Sequence, residues 1–341
     1  MMRPGRRASP RRTREKQAFL SLPARSRLER SPPDLYHEVG PFLAVLAGLG
    51  AWPLRTVKRA SDEEGVEYAV ASWRSLRMVA SSLLLVALAV IIAVAVRSNL
   101  RELLSGREPF LERVILVLHL VYETLPLSVP LLHWPAAGGL ALYFNDWGRF
   151  QCSWQWVTGS PLRLDCGRHA RAWSVLLVLY SMLSPIYHQR VSRHMPYWKL
   201  PIYPFTIMLA IMLGVLWRAL NSEVVATSVK LRALFRQRRT SRRGLTGVVV
   251  RGYCMLWLRL RALTQALGRA WGGVVLHMLI TMMVMTMTSL FGLLSALQHG
   301  LWRRVTSTIA SAVWGATLIF WICGQGRAAA RSVRSVAWLA I

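Results

Sequence analysis

MVASSLLLVALAVIIAVAV, residues 78–96, is the stretch that decides the fold. It carries no charge and is built almost wholly from Leu, Val, Ala and Ile, with Arg74 and Arg77 just before it and Arg97 directly after. A helix of this length reaches about 28 Å, close to the ~30 Å hydrocarbon core of a bilayer, and it satisfies every backbone polar group internally. Working outward, five more apolar runs follow: 114–144, interrupted by Pro126, Pro130 and Pro135; 172–187; 202–220; 272–297, with Met278, Met282, Met283, Met285 and Met287; and 305–323. The prolines predict kinks whose freed backbone groups neighbouring helices must satisfy. A shorter run, 41–54, is too short for a bilayer that needs about 20 residues, and reads as a partly inserted helix. The expected fold class is therefore all-α: a polytopic transmembrane helical bundle of six spans plus a short N-terminal apolar helix.

Composition agrees. Hydrophobic residues make up 54% of the 341, and the mean hydropathy is +0.34, more apolar mass than one compact water-soluble core normally uses. Lys and Arg number 43 against 15 Asp and Glu, a net charge of +28. Such a balance first raises nucleic acid as a partner. Here the cations lie between apolar runs, which fits anionic lipid on a cytoplasmic leaflet better, and no nucleic-acid partner is expected. With six spans both termini share a side; placing them in the cytoplasm puts 34 of the 43 cations on cytoplasmic segments.

Residues 1–35 are rich in Arg, Ser and Pro and contain no apolar h-region. They read as a disordered basic cytoplasmic tail, with a mitochondrial transit peptide as the alternative; 36–341 is the membrane domain. The basic linker 230–251 reads as a solvated loop, or as a lipid site through Arg236, Arg238, Arg239, Arg242 and Arg243. Cys152, Cys166, Cys254 and Cys323 form no C-x-x-C pair, so no metal site and no cofactor are expected, and Cys152 and Cys166 should be reduced in a cytoplasmic loop. The nucleotide, zinc and acyl-transfer motifs G-x-x-x-x-G-K-[ST], G-x-G-x-x-G, H-E-x-x-H and G-x-S-x-G are missing, which speaks against an enzyme.

Tyr36-His37-Glu38-Val39-Gly40-Pro41, followed by Gly50 and Pro53, is similar to the H-x-x-GP…G-x-x-P opening of the sugar-type branch of arthropod gustatory receptors. Trp73-Arg74-Ser75-Leu76-Arg77 resembles the segment that begins their first span, and Gly273-Val274-Val275-Leu276-His277-Met278-Leu279 resembles the start of their fifth, as in the related insect odorant co-receptor. The resemblance covers roughly 36–338. It implies a seven-transmembrane chemoreceptor-channel architecture, a homo- or hetero-tetramer with other gustatory receptors, a plasma-membrane location, and a small-molecule tastant such as a sugar that gates a cation channel. The family's last helix, which lines the pore and carries a T-Y-x-x-x-x-x-Q-F type signature, is not found before Ile341, so the expectation is an incomplete or non-conducting chain. A multi-spanning transporter or a G-protein-coupled receptor is the alternative class.

The candidate ligand-binding residues are Tyr122, Glu123, Tyr180, Tyr203, Phe291 and Trp314. A sugar ring packs its C–H face on an aromatic ring while its hydroxyls bond a few polar anchors. Glu123 is a carboxyl at membrane depth, which faces a protein interior or cavity unless it lies near the outer interface and is solvated there. The alternative for the aromatic residues is a membrane-surface belt, which suits Tyr187, Tyr197, Trp198 and Trp302. His119 and His277 lie in apolar spans, where each serves as a relay or simply bonds a neighbouring helix.

Overall fold

The computed structural model describes residues 35–50, 52, 54–58, 67–72, 74–105, 110–164, 166–167, 171–172, 174–176, 179, 202–240, 247–298 and 302–337. The decisive run is helical as read, and the helix carries on past its apolar end: α3 spans Leu76–Ser105. Before it come the short helices α1 (Leu35–Glu38) and α2 (Gly40–Gly48), and a hairpin of β1 (Leu54–Lys58) and β2 (Glu67–Ala71). After it come four long helices: α4 (Phe110–Thr158), α5 (Ile202–Thr240), α6 (Gly247–Gln298) and α7 (Trp302–Ala337).

Four described helices are long and apolar enough to cross a membrane: Met78–Ser105, Glu123–Thr158, Met208–Thr240 and Gly247–Gln298. They coincide with four of the six expected spans. The run 305–323 lies on the continuous helix α7, which is not among those four, and the run 172–187 lies almost wholly outside the described residues. The tail 1–34 lies outside them too.

The architecture is helical as expected, and the one addition among the described residues is this two-stranded hairpin, which the sequence reading did not include. β1 and β2 pair antiparallel, with Leu54 opposite Ala71 and Lys58 opposite Glu67. Asn145 of α4 holds the hairpin: its Oδ1 accepts from the Ala69 N–H at 2.9 Å and its Nδ2 donates to the Ala69 carbonyl at 3.0 Å. One carboxamide thus bonds the backbone as a neighbouring strand would. The short apolar run forms a helix only over Gly40–Gly48, buries Phe42, Leu43 and Leu46, and stops at Gly50, whose φ of +71° is the left-handed conformation that glycine adopts without penalty.

The long helices outrun their apolar segments, and the linker read as a loop is mostly helix. Residues 230–240 continue α5, leaving at most 241–246 to connect it to α6. Arg and Leu are good helix formers, and the apolar stripe persists through Val224 and Leu231, both buried. α4 likewise runs past 144 to Thr158, because Tyr143, Trp147, Phe150 and Trp154 recur at helical spacing and all four are buried. Gly159, at φ +74°, ends it. Pro126, Pro130 and Pro135 sit inside this single helix.

α6 packs along α4 on one side and α7 on the other. Its first crossing needs Gly139 of α4, where an added Cβ would lie 3.1 Å from the Ala270 Cβ. Its second needs Gly315 of α7, where a Cβ would run into the Thr286 hydroxyl and the Met282 carbonyl. α5 and α7 clasp reciprocally: Trp321 of α7 rests on Gly214, while Trp217 of α5 rests on Gly326 and donates its indole N–H to the Ile322 carbonyl at 3.3 Å. Such small-residue contacts are how helices approach closely where burial from water contributes little.

The Met-rich run divides by face: Met278, Met282 and Met285 are buried in the core, whereas Met283 and Met287 lie on an exposed stripe with Leu276, Ile280, Leu290 and Leu294. α3 exposes Leu83, Val86, Val90 and Val94 in the same way. Apolar faces of this size belong in hydrocarbon.

Candidate functional site

Polar groups descend the inward face of α4. The first is Glu123, which is 0% exposed, so it is not a solvated interfacial carboxylate. Asn99 of α3, itself buried, donates its Nδ2 to both carboxylate oxygens at 3.0 and 2.9 Å. Five residues on, Ser128 Oγ lies 2.8 Å from Nε2 of His277 on α6. His277 therefore bonds a neighbouring helix. Thr281, one turn along α6, is buried as well.

Next is His133, fully buried, its imidazole 5.2 Å from the Trp52 ring and 5.8 Å from the Trp271 ring. Trp271 stands edge-on to Trp217 at 6.3 Å, and Trp52 meets Phe144 at 6.1 Å. Rings from the turn after α2 and from α4, α5 and α6 thus form one aromatic junction, and Trp217 extends it to α7 through the Ile322 carbonyl. Among the described residues neither nitrogen of His133, nor the indole N–H of Trp52 or Trp271, has a hydrogen-bond partner. Nearby Trp134 shows the alternative, donating to the Gly50 carbonyl at 3.2 Å.

Below the junction Tyr143 and Trp147 continue the ring stack at 6.0 Å, and Glu223 of α5 lies buried beside Cys166. Burial, with the carboxylates of Glu223 and Glu38 adding, pushes the Cys166 thiol well above its ordinary range. It stays protonated and donates to Glu223. Cys152 is exposed, and none of the four cysteines is in a disulfide.

Of the six candidate ligand residues, two are described at the level of the side chain. Glu123 faces the interior; Phe291 is 57% exposed on the outer stripe of α6 and does not face the bundle. Tyr122, Tyr203 and Trp314 belong to helices α4, α5 and α7, but their side chains lie outside the described set, as do Tyr180 and the ring of His119. Sequence reasoning missed Asn99, which sits three residues beyond the apolar run of α3, and it missed His133 and the junction. The signal for the junction was present in the crowding of Trp134, Tyr143, Phe144, Trp147, Phe150 and Trp154 on one helix. Among the described residues no group of three or more His, Cys, Asp or Glu side chains is placed to hold a metal ion. Chemically, the column offers hydrogen-bond donors and acceptors between aromatic faces, which is recognition chemistry.

No family model matches the sequence. The chain is 25% identical over 242 residues to gustatory and odorant receptor 24 of Anopheles gambiae, an alignment that covers 70% of this chain and 51% of the mosquito protein. The similarity supports the insect chemoreceptor family. The chain spans about half the length of this curated relative, which is a chemoreceptor by name and not an enzyme. Apolar helices and the receptor likeness together support a multi-pass membrane protein.

Proposed function

We propose that the chain is a gustatory-receptor subunit in which a small molecule of the sugar class binds among the spans and biases a cation channel assembled as a tetramer with like subunits in the plasma membrane. The observation that carries this reading is the likeness to the mosquito receptor over 70% of the chain, in a helical bundle whose largely apolar interior holds buried polar groups such as Glu123, Asn99 and His133. The reading takes six spans with the N-terminus in the cytoplasm, supported by the concentration of cations on the side opposite Glu123.

The ligand site of this reading lies in the outer half, at Glu123, with Tyr122 beside it in the sequence of α4, and takes Tyr203 from α5, Trp314 from α7 and Tyr180 from the stretch of sequence between α4 and α5 as further candidates. A buried carboxylate is a hydrogen-bond acceptor, the kind of polar anchor to which a ligand hydroxyl donates. The test is the chain expressed in oocytes, alone and with other gustatory receptors, under a panel of sugars. Evoked cation current that Glu123→Gln weakens at least tenfold supports the reading. Accumulation of labelled sugar without current would replace it with transport.

A further inference from the structure

The end of the bundle farthest from Glu123 carries a basic strip that the receptor reading does not use. Three contacts fix its level. The hydroxyls of Ser228 on α5 and Ser332 on α7 touch, the Arg232 guanidinium reaches Ser332 at 3.5 Å, and the Trp257 indole of α6 donates to the Val333 carbonyl of α7 at 3.0 Å. The last turns of α7 therefore lie between Arg232 of α5 on one side and Arg261 of α6 on the other, the latter stacked over Trp257 at 5.9 Å. Between them α7 adds Arg327, Arg331 and Arg334 at i, i+4 and i+7, a single face, all exposed.

Among the described residues no carboxylate is paired with these cations. From Arg218 to the end of α7 the sequence holds one acidic residue, Glu223, and it is buried beside Cys166. The ion pair recorded at this end among the described residues, Arg149 with Asp146, lies on α4. Five guanidiniums on one strip repel one another unless an anion spans them, and Arg suits phosphate oxygens because its planar fork donates two parallel bonds.

Depth selects the source of the phosphate. With 305–323 as the sixth span of the proposed reading, on which this step rests, Arg327 stands four residues past it, about 6 Å beyond the hydrocarbon edge, and Arg331 and Arg334 stand about 12 and 16 Å beyond it. The headgroup layer is about 5–8 Å thick on each side, so the strip begins within it and continues below. A one-phosphate headgroup reaches only Arg327; a headgroup phosphorylated on several ring positions and projecting into water reaches the rest. We propose that this strip of α5, α6 and α7 binds the headgroup of a polyphosphorylated inositol lipid in the leaflet at that end.

The experiment uses the purified full chain in nanodiscs of phosphatidylcholine doped with a few per cent of a bisphosphorylated phosphatidylinositol or with phosphatidylserine at equal charge, read by native mass spectrometry for retained lipid. Retention of the inositol lipid at least tenfold over phosphatidylserine, reduced at least fivefold in the variant Arg261→Gln/Arg331→Gln/Arg334→Gln, is the expected result. Equal retention of the two lipids, or retention unchanged in the variant, overturns the proposal. Soluble inositol polyphosphate added to the nanodiscs should compete the lipid off; if the soluble compound binds while the lipid does not, the strip is a site for a free metabolite and the proposal fails. A second variant, Arg238→Gln/Arg239→Gln at the exposed end of α5, should leave retention intact. The outcome is independent of sugar-evoked current, so it fails or succeeds separately from the receptor reading.

Discussion

Glu123 shows how a single residue ties two helices. A carboxylate at 0% exposure would carry a heavy desolvation cost, and the two amide hydrogens of Asn99 offset part of it. Asn99→Ala removes both donors and should lower stability by about 2–3 kcal/mol, read as a fall in thermal unfolding temperature in detergent. The carboxyl itself was legible in the sequence as a polar group at membrane depth. Its partner was not, because Asn99 lies outside the uncharged run and 24 positions away, where only tertiary packing brings it back. Cys166 makes a second point at this scale. A thiol whose proton is held by burial and two carboxylates stays unreactive, so at pH 8.5 an aqueous maleimide should modify Cys152 and spare Cys166 until the protein is denatured, as peptide mass mapping would show. Rapid labelling of Cys166 in the folded state would contradict its placement.

Helix crossings depend on a few glycines that the sequence does not distinguish from the rest. Gly315 and Gly324 both sit in α7, yet a Cβ at Gly315 collides with Thr286 and Met282, whereas one at Gly324 meets nothing within 4 Å. Gly315→Ala should destabilise by about 1–3 kcal/mol through overpacking against α6. Gly324→Ala should be neutral or stabilise by about 0.5–1 kcal/mol, because alanine is the better helix former. Opposite shifts in detergent melting temperature would confirm the difference; equal shifts would not. Hydrophobicity found four of the long helices but neither their ends nor their centres: the runs 202–220 and 272–297 are only the first half of α5 and the second half of α6, because the backbone continues wherever an amphipathic face still finds a partner. Val224 and Leu231 carry α5 onward in this way, and Trp147, Phe150 and Trp154 do so for α4. The hairpin escaped because β1 and β2 are five residues each and owe their position to Asn145, far along the chain.

At the scale of the whole molecule, α6 has 52 residues and a length of about 78 Å, more than twice the ~30 Å hydrocarbon core. A bilayer core can hold less than half of such a helix, so the rest must stand outside the hydrocarbon if α6 crosses it. Leu258 and Met283 are 49% and 61% exposed, so bare geometry treats them alike. In a background where Cys152, Cys254 and Cys323 are serine, a membrane-impermeant maleimide should label Leu258→Cys at least tenfold faster than Met283→Cys, and only when it has access to the end that carries the basic strip. Equal rates would remove α6 from the bilayer. In the sequence the charge asymmetry appears only when six spans are drawn, which puts 34 of 43 cations on one side. Composition did not reveal that many of them ride on helices continuous with the apolar runs.

The middle of α6 falls at about Gly272, beside the close approach of Ala270 to Gly139 and the packing of Trp271 on His133. A straight rod of that length is a long lever: a tilt of about 5° about its middle would move each tip by about 3 Å in opposite directions. Both close crossings, at Gly139 and at Gly315, restrain such a tilt, and a methyl group added at either would press on the helix there.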